Sequence, residues 1–559
     1  MVAWVLGLGG SDHDFSAALA FGTDIRVAVE QERLSRRKHG LSHWYENPVG
    51  LATQYCLEAA SISADDVELV VSADNLPTRV RHELGRQKLH VFPHHLCHAA
   101  SAYMMMPAGS RAGVLVYDGF GSIIDRSVEG LRQTRETFSF YVFHKDGYEK
   151  IGGTTGVALL EPDDFPTAVT NSIGMLYELV TGCLGFAPMD GGKTMGLSSY
   201  GQPRYLDILE KFVSYGSDMS NCFQCTTDQS DLTKAIDGIL TAGRGGFEVK
   251  ADLAASVQAL LNKTLLRCAD FFGNRSIDNL CVSGGCGLNT VANSELASRS
   301  PLPVFVPPHC GDAGLALGAL WLELHGRAGV APAVTFCGHA ANPSLARPGR
   351  LYSDDERRRA VQQFYPRVVL DPSVSSGREL ARVIARGAIV GVLNGRSEIG
   401  PRALGGRSIL GDPRSVATRE RINRLLKRRE PFRPLAPIVL RSQYDAYFSD
   451  NRFIDPFMLK NARVRERCRL EAPAIVHVDA TARVQVVDDD GDPLLVQVLT
   501  EFHHETGVGV LINTSFNRRG EPIVETPLDA LDAFLGMGLD GLFVDGEFYR
   551  PAPSERPSV

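Results

Sequence analysis

Three apolar segments in the first half of the chain run directly into glycine-rich turns. These turns begin at Gly7, Asp118 and Ser283. Glycine carries no Cβ, so the backbone N–H groups of such a turn can approach a phosphate closely. Helical stretches alternate with the apolar runs, which is typical of an α/β fold. The pattern predicts a nucleotide cleft between two related lobes, with Gly284 and Gly285 among its binding residues.

A polar segment containing Pro, Gly and Arg separates two halves of the chain. In the first half, we expect Ile25–Val29 to pair with the first strand as a hairpin. In the second half, we expect a helix over Ser415–Arg428. The predicted parts are a first domain (1–341), a linker (342–350), a second domain (351–550) and a disordered tail (551–559).

The bulk composition is that of an ordinary globular protein. Hydrophobic residues make up 44% of the chain and charged residues 22%. No apolar run approaches the roughly 18 residues that span a bilayer, and the start lacks the basic segment and cleavage site of a signal peptide. The 11 cysteines follow no disulfide framework. We therefore expect a cytoplasmic protein without a membrane partner; whether it is a monomer or a homodimer stays open.

Charge is distributed unevenly along the chain. The net charge of −7 argues against nucleic acid as the main partner. Between Arg378 and Arg441, however, there are 15 Lys and Arg residues but only 5 Asp and Glu residues. This stretch is predicted to bind an anion, although the chain as a whole is acidic.

Arginines in the basic stretch stand in two kinds of surroundings. Arg402, Arg407 and Arg433 lie among Gly, Pro and apolar residues, whereas the arginines of the predicted helix fit a solvated face. Guanidinium groups bind phosphate and carboxylate bidentately, so several near one loop favour a polyanionic ligand. Farther on, Arg483 lies in a predicted strand, and Asn513 and Ser515 offer amide and hydroxyl groups at the end of another.

Two histidines and two aspartates form a candidate metal site. His94 and His98 are four residues apart in a segment with helical character, so they share one helix face. Asp118 and Asp312 each stand at a junction of a strand, turn or helix, where active sites of α/β folds collect. Such a set suits iron(II), manganese or zinc. The alternative is that the histidines are capping or solvated groups and the aspartates cap turns or helices.

His13 lies between Asp12 and Asp14, just after the first glycine turn. An imidazole beside carboxylates is a candidate general base, because its pKa lies near working pH. The alternative is that Asp14 caps a following helix. The sequence leaves both open.

Two longer motifs carry a family resemblance. Gly400–Ser408 reads Gly-Pro-Arg-Ala-Leu-Gly-Gly-Arg-Ser, and His94–Tyr103 reads His-His-Leu-Cys-His-Ala-Ala-Ser-Ala-Tyr. Together they resemble the O-carbamoyltransferases of the antibiotic and nodulation-factor family, over nearly the whole chain. The resemblance implies a two-lobed Kae1-like domain of the actin/hexokinase class, followed by a YrdC-like α/β domain.

The resemblance also implies an activity in two steps. In the second domain, carbamoyl phosphate and ATP, accompanied by Mg²⁺, would give carbamoyladenylate and pyrophosphate. In the first domain, a site with Fe²⁺ or another divalent transition metal would support transfer of the carbamoyl group to a hydroxyl of a small natural product, and AMP would leave.

The family's functional residues carry over to matching positions of this sequence. The four metal candidates match the family's metal ligands. His13 resembles a histidine near the transfer site, and Lys193 resembles a lysine on the nucleotide side of the first domain. The residues expected around carbamoyl phosphate and the nucleotide phosphates are Arg402 and Lys427, both with catalytic roles, and Arg433, Arg483, Asn513 and Ser515.

Three alternative functions would each require other sequence features. A tRNA-modifying enzyme of the threonylcarbamoyl type shares both domain types but needs a basic surface, and the first half is acidic overall. A non-catalytic nucleotide-binding module with an actin-like fold needs neither the His/Asp set nor the basic pocket. A hydrogenase-maturation carbamoyltransferase begins with acylphosphatase and zinc-finger modules, which this chain lacks.

Overall fold

The computed structural model describes residues 3–10, 13–39, 50–76, 80, 84, 88–107, 109–126, 132–160, 166–225, 229–273, 275–328, 343–430 and 432–553. The strands are β1 (Trp4–Gly9), β2 (Ser16–Phe21), β3 (Asp24–Glu30), β4 (Val67–Ala73), β5 (Leu89–Phe92), β6 (Ala112–Tyr117), β7 (Ile123–Arg126), β8 (Arg132–His144), β9 (Gly147–Leu160), β10 (Pro166–Val169), β11 (Val213–Ser214), β12 (Gln224–Cys225), β13 (Asn279–Ser283), β14 (Val304–Phe305), β15 (Val368–Leu370), β16 (Val390–Leu393), β17 (Arg407–Gly411), β18 (Ala436–Leu440), β19 (Phe448–Ser449), β20 (Ala462–Val464), β21 (Thr481–Ala482), β22 (Gln485–Val487), β23 (Val510–Ser515), β24 (Gly541–Val544) and β25 (Glu547–Pro551). The α-helices are α1 (Gln31–Ser35), α2 (Gly50–Ala60), α3 (His94–Tyr103), α4 (Ile173–Cys183), α5 (Gly191–Ser198), α6 (Leu206–Leu209), α7 (Gln229–Ala242), α8 (Phe247–Asp270), α9 (Thr290–Arg299), α10 (Leu315–Ala328), α11 (Pro343–Ala346), α12 (Asp354–Phe364), α13 (Gly377–Ala385), α14 (Val416–Glu420), α15 (Tyr444–Tyr447), α16 (Glu466–Glu471), α17 (Pro493–Thr506) and α18 (Pro527–Met537).

The chain folds as two compact units. The first takes its described residues from the ranges Met1–Asp12, Ser16–Ile25 and Ala64–Asn342. The second takes them from the ranges His13–Phe15, Arg26–Ser63 and Pro343–Val559. The predicted change of domain near residue 341 agrees with this division, but the two early segments do not, since they belong with the second unit.

The first sheet of the first unit begins with an antiparallel hairpin. β2 pairs with β1, from Trp4 with Phe21 to Gly9 with Ser16, so the prediction that Ile25–Val29 is the hairpin partner is wrong. The sequence of β2 is rich in alanine, which has a low strand propensity, and burial overrides that preference. Because β2 is a strand, Asp14 does not cap a following helix. β1 also pairs with β4, which pairs with β5, both in parallel.

The second sheet of the first unit is mixed and has the strand order β10-β9-β8-β6-β13-β14. β6, β13 and β14 run parallel, as expected for strands joined by helices, and they confirm three strands predicted from apolar runs. β6 is buried along its whole length, and Asp118 follows it directly. The predicted α/β class is confirmed.

The second unit is built on a sheet with the order β15-β25-β24-β16-β17-β23-β18-β22 among the described strands. β17 pairs antiparallel with β23, with Ser408 opposite Ser515. The arginine-rich loop that precedes β17 and the polar end of β23 therefore lie at the same end of these two neighbouring strands. The predicted helix after Ser415 is confirmed as α14, which continues as a π-helix over Arg421–Leu426.

The segment predicted as a linker is packed into the second unit. Residues Pro343–Ala346 form α11, and the Arg347 guanidinium binds Asp492 and the carbonyl of Arg396. Polar composition alone does not distinguish a solvated linker from a segment whose arginines are paired. The predicted tail lies outside the described residues from 554 onward, whereas Pro551 ends β25. Across the described part of the chain, we find no helix with the length and apolarity needed to cross a membrane.

Glycines of β1 allow α10 to pack directly on the strand. A Cβ added at Gly9 would lie 2.2 Å from the backbone nitrogen of Ala316 and 2.6 Å from the Cβ of Leu315. We expect Gly9→Ala to lower the free energy of unfolding by about 1–3 kcal/mol, because the helix must move away. Chemical denaturation measures this change.

The matched control is Gly182→Ala in α4. Nothing lies within 4 Å of a Cβ at Gly182, so this variant should be neutral or more stable by about 0.5–1 kcal/mol. Equal destabilisation by both substitutions would contradict the packing described for β1.

Candidate metal centre and anion-binding site

Helix α3 positions the two predicted histidines. The helix begins at His94, whose backbone N–H donates to the Ser122 hydroxyl at 2.9 Å and to Asp74 Oδ1 at 3.2 Å. These acceptors satisfy a first-turn N–H group that the helix itself leaves unpaired. His94 and His98 are 1% and 0% exposed. The alternative that they are solvated histidines is therefore wrong.

The four predicted metal ligands meet at one point of the first unit. The Nε2 atoms of His94 and His98 are 3.0 Å apart. Asp118 Oδ2 lies 3.2 and 3.4 Å from these two nitrogens, and Asp312 Oδ1 lies 3.7 and 3.3 Å from them. Ligands placed about 2.1 Å from one ion stand roughly 3.0 Å apart at right angles and roughly 3.4 Å apart at tetrahedral angles. The four buried groups therefore fit a transition metal ion.

Electrostatics in the quartet also favours a cation. Burial lowers the pKa of His98, but its hydrogen bonds and charge interactions with Asp118 and Asp312 outweigh this effect and raise the pKa to about 9. Two buried carboxylates thus hold a positive charge between themselves and the imidazoles. A divalent ion bound to the quartet would take the place of the proton on His98 and balance the charge of the two carboxylates.

Two glycine turns hold Asp118 in place. Its Oδ1 accepts hydrogen bonds from the backbone N–H groups of Gly119, at 2.8 Å, and Gly285, at 3.0 Å. Gly284 has a φ of 94°, and a Cβ there would lie 2.3 Å from the Tyr117 carbonyl, so this turn requires glycine. The turns thus position a candidate metal ligand, and phosphate binding by Gly284 and Gly285 stays a prediction.

Lys193 lies in the first turn of α5. Its ammonium donates to Asp190 Oδ2 at 2.7 Å, and its side chain is 23% exposed. This partial exposure leaves the lysine accessible, while nucleotide binding by Lys193 stays a prediction.

A carboxylate joins His13 to a second histidine that the sequence analysis missed. Asp14 Oδ2 lies 3.3 Å from His13 Nδ1, and Asp14 Oδ1 lies 2.8 Å from His39 Nδ1. The backbone N–H of Asp14 donates to the His39 carbonyl, and the N–H of His39 donates to Glu32 Oε2 at 2.6 Å. Asp14 and His39 have φ angles of 53° and 62°, and such strain concentrates at functional sites. No local sequence pattern links residues so far apart in the chain.

Five basic side chains converge in the second unit. Burial lowers the pKa of Arg483 well below its usual range, and the charges of Arg402, Arg433 and Arg429 lower it further. Burial and the neighbouring Arg433 also lower the pKa of Arg429 to about 9. The Nε of Arg483 is buried and has no hydrogen-bond partner among the described residues. An anion bound among these groups, which include Lys427, would relieve their repulsion.

Lys427 is fixed at the end of β23. Its Nζ donates to the Ser515 carbonyl at 2.6 Å, to the Ser515 hydroxyl at 3.0 Å and to Asn517 Oδ1 at 3.0 Å. Burial, together with the charges of Arg429 and Arg433, holds the pKa of this lysine well below its usual range. The structure thus places Lys427 beside Ser515. Arg429 and Asn517 were not among the predicted site residues.

Arg407 and Asn513 stabilise the arginine loop, which runs from Gly400 to Gly406, through hydrogen bonds to backbone carbonyls. The Arg407 side chain is fully buried and donates to the carbonyls of Glu525, Gly395 and Gly406. The Asn513 amide donates to the Ala403 carbonyl at 3.0 Å. These bonds shape the loop, and direct ligand contact by Arg407 and Asn513 stays a prediction.

Glu398, which sequence reasoning missed, lies inside the same loop. Its Oε1 accepts hydrogen bonds from the backbone N–H groups of Leu404, Gly406 and Arg407 at 2.6, 2.9 and 3.1 Å. Burial raises the pKa of Glu398, but nearby guanidinium groups, first that of Arg347 and then that of Arg33, outweigh this and lower it. A glutamate inside a basic motif gives no sign in the sequence that it organises the loop.

Comparison with known proteins supports an assignment. The carbamoyltransferase N-terminus model matches residues 72–321, and the carbamoyltransferase C-terminus model matches residues 381–550. Nodulation protein NolNO of Sinorhizobium fredii is 31% identical over 558 residues, covering 95% of this chain and 78% of that protein. The 3'-hydroxymethylcephem-O-carbamoyltransferase of Amycolatopsis lactamdurans is 32% identical over 378 residues, covering 65% of each. A crystal structure of full-length HypF in its phosphate- and nucleotide-bound form aligns with a TM-score of 0.33 at 14% identity, covering 57% of this chain and 55% of that one.

The matches to both halves and the full-length relative place this chain in the carbamoyltransferase family. Within that family its relatives include an O-carbamoyltransferase, and the protein is an enzyme that transfers carbamoyl groups. The resemblance inferred from the sequence motifs is confirmed.

Removal of one quartet imidazole tests the metal centre. We expect His98→Ala to lose most of the bound transition metal, because one of two nitrogen ligands is removed from a buried site. Elemental analysis of the purified protein measures the metal content. The control is His95→Gln on the same helix, since His95 Nδ1 faces the Ser139 hydroxyl instead. Equal metal content in both variants and the wild type would exclude the quartet as the ligand set.

The cluster around Asp14 predicts a pH dependence of stability. Burial, then the charges of Glu30 and Asp14, raise the pKa of Glu32 to about 7. Stability from this group is therefore complete below the pKa of the unfolded chain and is lost as pH rises through about 7. Glutamine does not ionise, so Glu32→Gln should gain about 1–3 kcal/mol relative to wild type between about pH 5 and about pH 8. Urea denaturation measures this difference, and a difference independent of pH would contradict it.

Proposed function

We propose that this carbamoyltransferase works in two steps, one in each unit. In the second unit, carbamoyl phosphate and ATP give carbamoyladenylate. In the first unit, the carbamoyl group passes to a hydroxyl of a small-molecule natural product. The observation that carries this proposal is the presence of two separate sites, a cluster of five basic side chains in one unit and a His/Asp quartet in the other.

Mass balance defines the first step. Carbamoyl phosphate and one water give carbamate and phosphate. An oxygen of the carbamate then attacks the α-phosphorus of ATP, and the bond to the leaving pyrophosphate breaks. The products are carbamoyladenylate, pyrophosphate and phosphate. Carbamoyl phosphate, ATP and pyrophosphate each carry several negative charges, which a cluster of guanidinium groups would bind.

The arginine cluster would stabilise charge as it develops on the leaving pyrophosphate. Arg402, Arg433 and Arg483 would bind phosphate oxygens, with Mg²⁺ accompanying the ATP. Lys427 is 4% exposed, so its amino group lies in a site where electrostatic interactions are little screened. Its three bonds to Ser515 and Asn517 fix its direction before substrate binds.

The transfer step would use the His/Asp quartet of the first unit. When bound, iron(II) or another divalent transition metal would polarise the carbamoyl carbonyl or orient the acceptor hydroxyl. His94, His98, Asp118 and Asp312 are the residues that would hold it. The acceptor oxygen would bond to the carbamoyl carbon as its hydroxyl proton is lost to a base, and AMP would leave with the bridging oxygen. A general-base role for His13, whose Nδ1 is directed at the Asp14 carboxylate, stays a prediction.

The acceptor class and the domain types are part of the same proposal. The names of the relatives, a nodulation protein and a 3'-hydroxymethylcephem-O-carbamoyltransferase, support a hydroxylated small molecule as acceptor. The two mixed sheets of the first unit are compatible with a Kae1-like domain of the actin/hexokinase class, and the single large sheet of the second with a YrdC-like domain.

Two substitutions separate the proposed steps. Arg402→Ala should lower pyrophosphate release from ATP and carbamoyl phosphate by about 100-fold or more, because charge on the leaving group loses a partner. His98→Ala should leave this release near the wild-type rate but abolish carbamoylation of the acceptor. Pyrophosphate is followed by a coupled assay, and the product by mass spectrometry with a panel of hydroxylated compounds that includes a hydroxymethylcephem.

Arg424→Ala is the control for loss of positive charge. Arg424 belongs to the same basic stretch, but its side chain is exposed, so both steps should stay near wild type. If Arg402→Ala and His98→Ala lost pyrophosphate release equally, the division between the two units would be wrong.

A further inference from the structure

The turn that carries Arg402 is held by two residues from the beginning of the chain. Arg33 donates from Nη2 to the Gly400 carbonyl at 2.6 Å and from Nε to Glu30 Oε2 at 2.7 Å. Glu30 Oε2 in turn accepts the backbone N–H of Gly400 at 3.1 Å. Both backbone polar groups of Gly400 are therefore bound by one buried ion pair. Glu30 and Arg33 precede Gly400 by more than half the chain.

Fixing Gly400 constrains Arg402, which follows two residues later. Gly400 has a φ of 93°, in the left-handed region that favours glycine. Pro401 then fixes the next φ through its ring. With few free torsions between them, the direction of the Arg402 backbone depends on the orientation of the Gly400 peptide.

The charge environment of Arg33 indicates a positioning role. Its side chain is 1% exposed. Burial lowers the pKa of Arg33, but the charges of Glu30, Glu398, Glu525 and Glu32 outweigh this and raise it. Burying an ion pair gives little net stability compared with apolar residues of the same size. The burial of the Glu30–Arg33 ion pair is therefore better explained by the geometry that the pair imposes on Gly400 than by a gain in stability.

The same early segment reaches the other end of the loop. The Tyr55 hydroxyl donates to Glu525 Oε1 at 2.6 Å, and the Glu525 carbonyl accepts from Arg407 Nε at 2.9 Å. The Arg36 guanidinium donates to the carbonyls of Pro522 and Ile523. Residues 26–39 and 50–63 lie outside the ranges 72–321 and 381–550 that match the family models. Their place in the second unit is thus a property of the fold that those matches do not report.

We propose that Glu30 and Arg33 are positioning residues for carbamoyladenylate formation, acting through the Gly400–Arg402 turn. This inference rests on the function proposed above. It assigns part of the early chain to the activating step, although the transfer step was expected to use that half.

Steady-state kinetics of pyrophosphate release by the full-length enzyme test the proposal. We expect Arg33→Met to lower kcat/KM for carbamoyl phosphate or ATP by about 100-fold, because a misplaced Arg402 loses its alignment with the reacting phosphates. Arg33→Lys keeps the charge but can hold only one of the two contacts, so it should recover about tenfold of this loss. Glu30→Gln should show a smaller defect of the same kind.

The split between KM and kcat separates positioning from stability. A merely structural role would reduce the fraction of folded enzyme, which lowers kcat and leaves KM unchanged. A positioning role raises KM or lowers kcat in protein whose thermal midpoint and metal content match the wild type. If Arg33→Met fails to fold, Arg33→Lys and Glu30→Gln carry the test. Arg37→Ala, at an exposed arginine just beyond α1, is the control.

Two failures are distinguishable. If the wild type releases no pyrophosphate with carbamoyl phosphate and ATP, the proposed function is wrong, and the inference falls with it. If the wild type is active and the folded Arg33 and Glu30 variants match its KM and kcat, the inference alone is overturned.

Discussion

The arginine loop of the second unit depends on one buried carboxylate oxygen. Glu398 Oε1 accepts hydrogen bonds from three backbone N–H groups of the loop that begins at Gly400. Asn513 and Gln485 bind the carbonyls of Ala403 and Leu404 from the neighbouring strands. With its backbone bonded from both sides, the loop holds Arg402 against the repulsion of other guanidinium groups. A flexible loop would relax by moving the charges apart, and anion binding would then have to bring them back together.

In the first unit, backbone hydrogen bonds also position a residue of the candidate site, but that residue is a carboxylate and not a guanidinium group. Backbone N–H groups of two glycine turns bind one oxygen of Asp118, which leaves the other oxygen directed at the histidines of α3. In both units, hydrogen bonds from backbone N–H groups to one carboxylate oxygen fix part of the candidate site, namely the loop that carries Arg402 and the side chain of Asp118. This arrangement is pre-organised, because hydrogen bonds that fix the site do not have to form during the reaction.

Much of the candidate site could be predicted because its signals are local. The spacing of His94 and His98 requires only a helix, and Asp118 follows a recognisable strand. Arg402 and Arg433 of the second unit are likewise visible in one basic stretch of sequence. What could not be predicted depends on contacts between residues distant in the chain. The pairing of Arg33 with Gly400, of His39 with Asp14 and of Tyr55 with Glu525 has no local pattern. The glycine turns show a related difficulty, since a backbone that can approach a phosphate can equally bind a carboxylate of the protein itself.

Under the proposed function, activation and transfer occur at separate sites, and only the transfer site needs the transition metal. The most direct measurement is exchange of labelled pyrophosphate into ATP by wild-type enzyme that has been stripped of metal and resupplied with Mg²⁺ alone, in the presence of carbamoyl phosphate. We expect exchange to continue near the rate of the metal-replete enzyme while carbamoylation of a hydroxylated acceptor stops, and iron(II) to restore carbamoylation. Loss of pyrophosphate exchange together with carbamoylation, and recovery of both on adding iron(II), would show instead that activation also needs the transition metal.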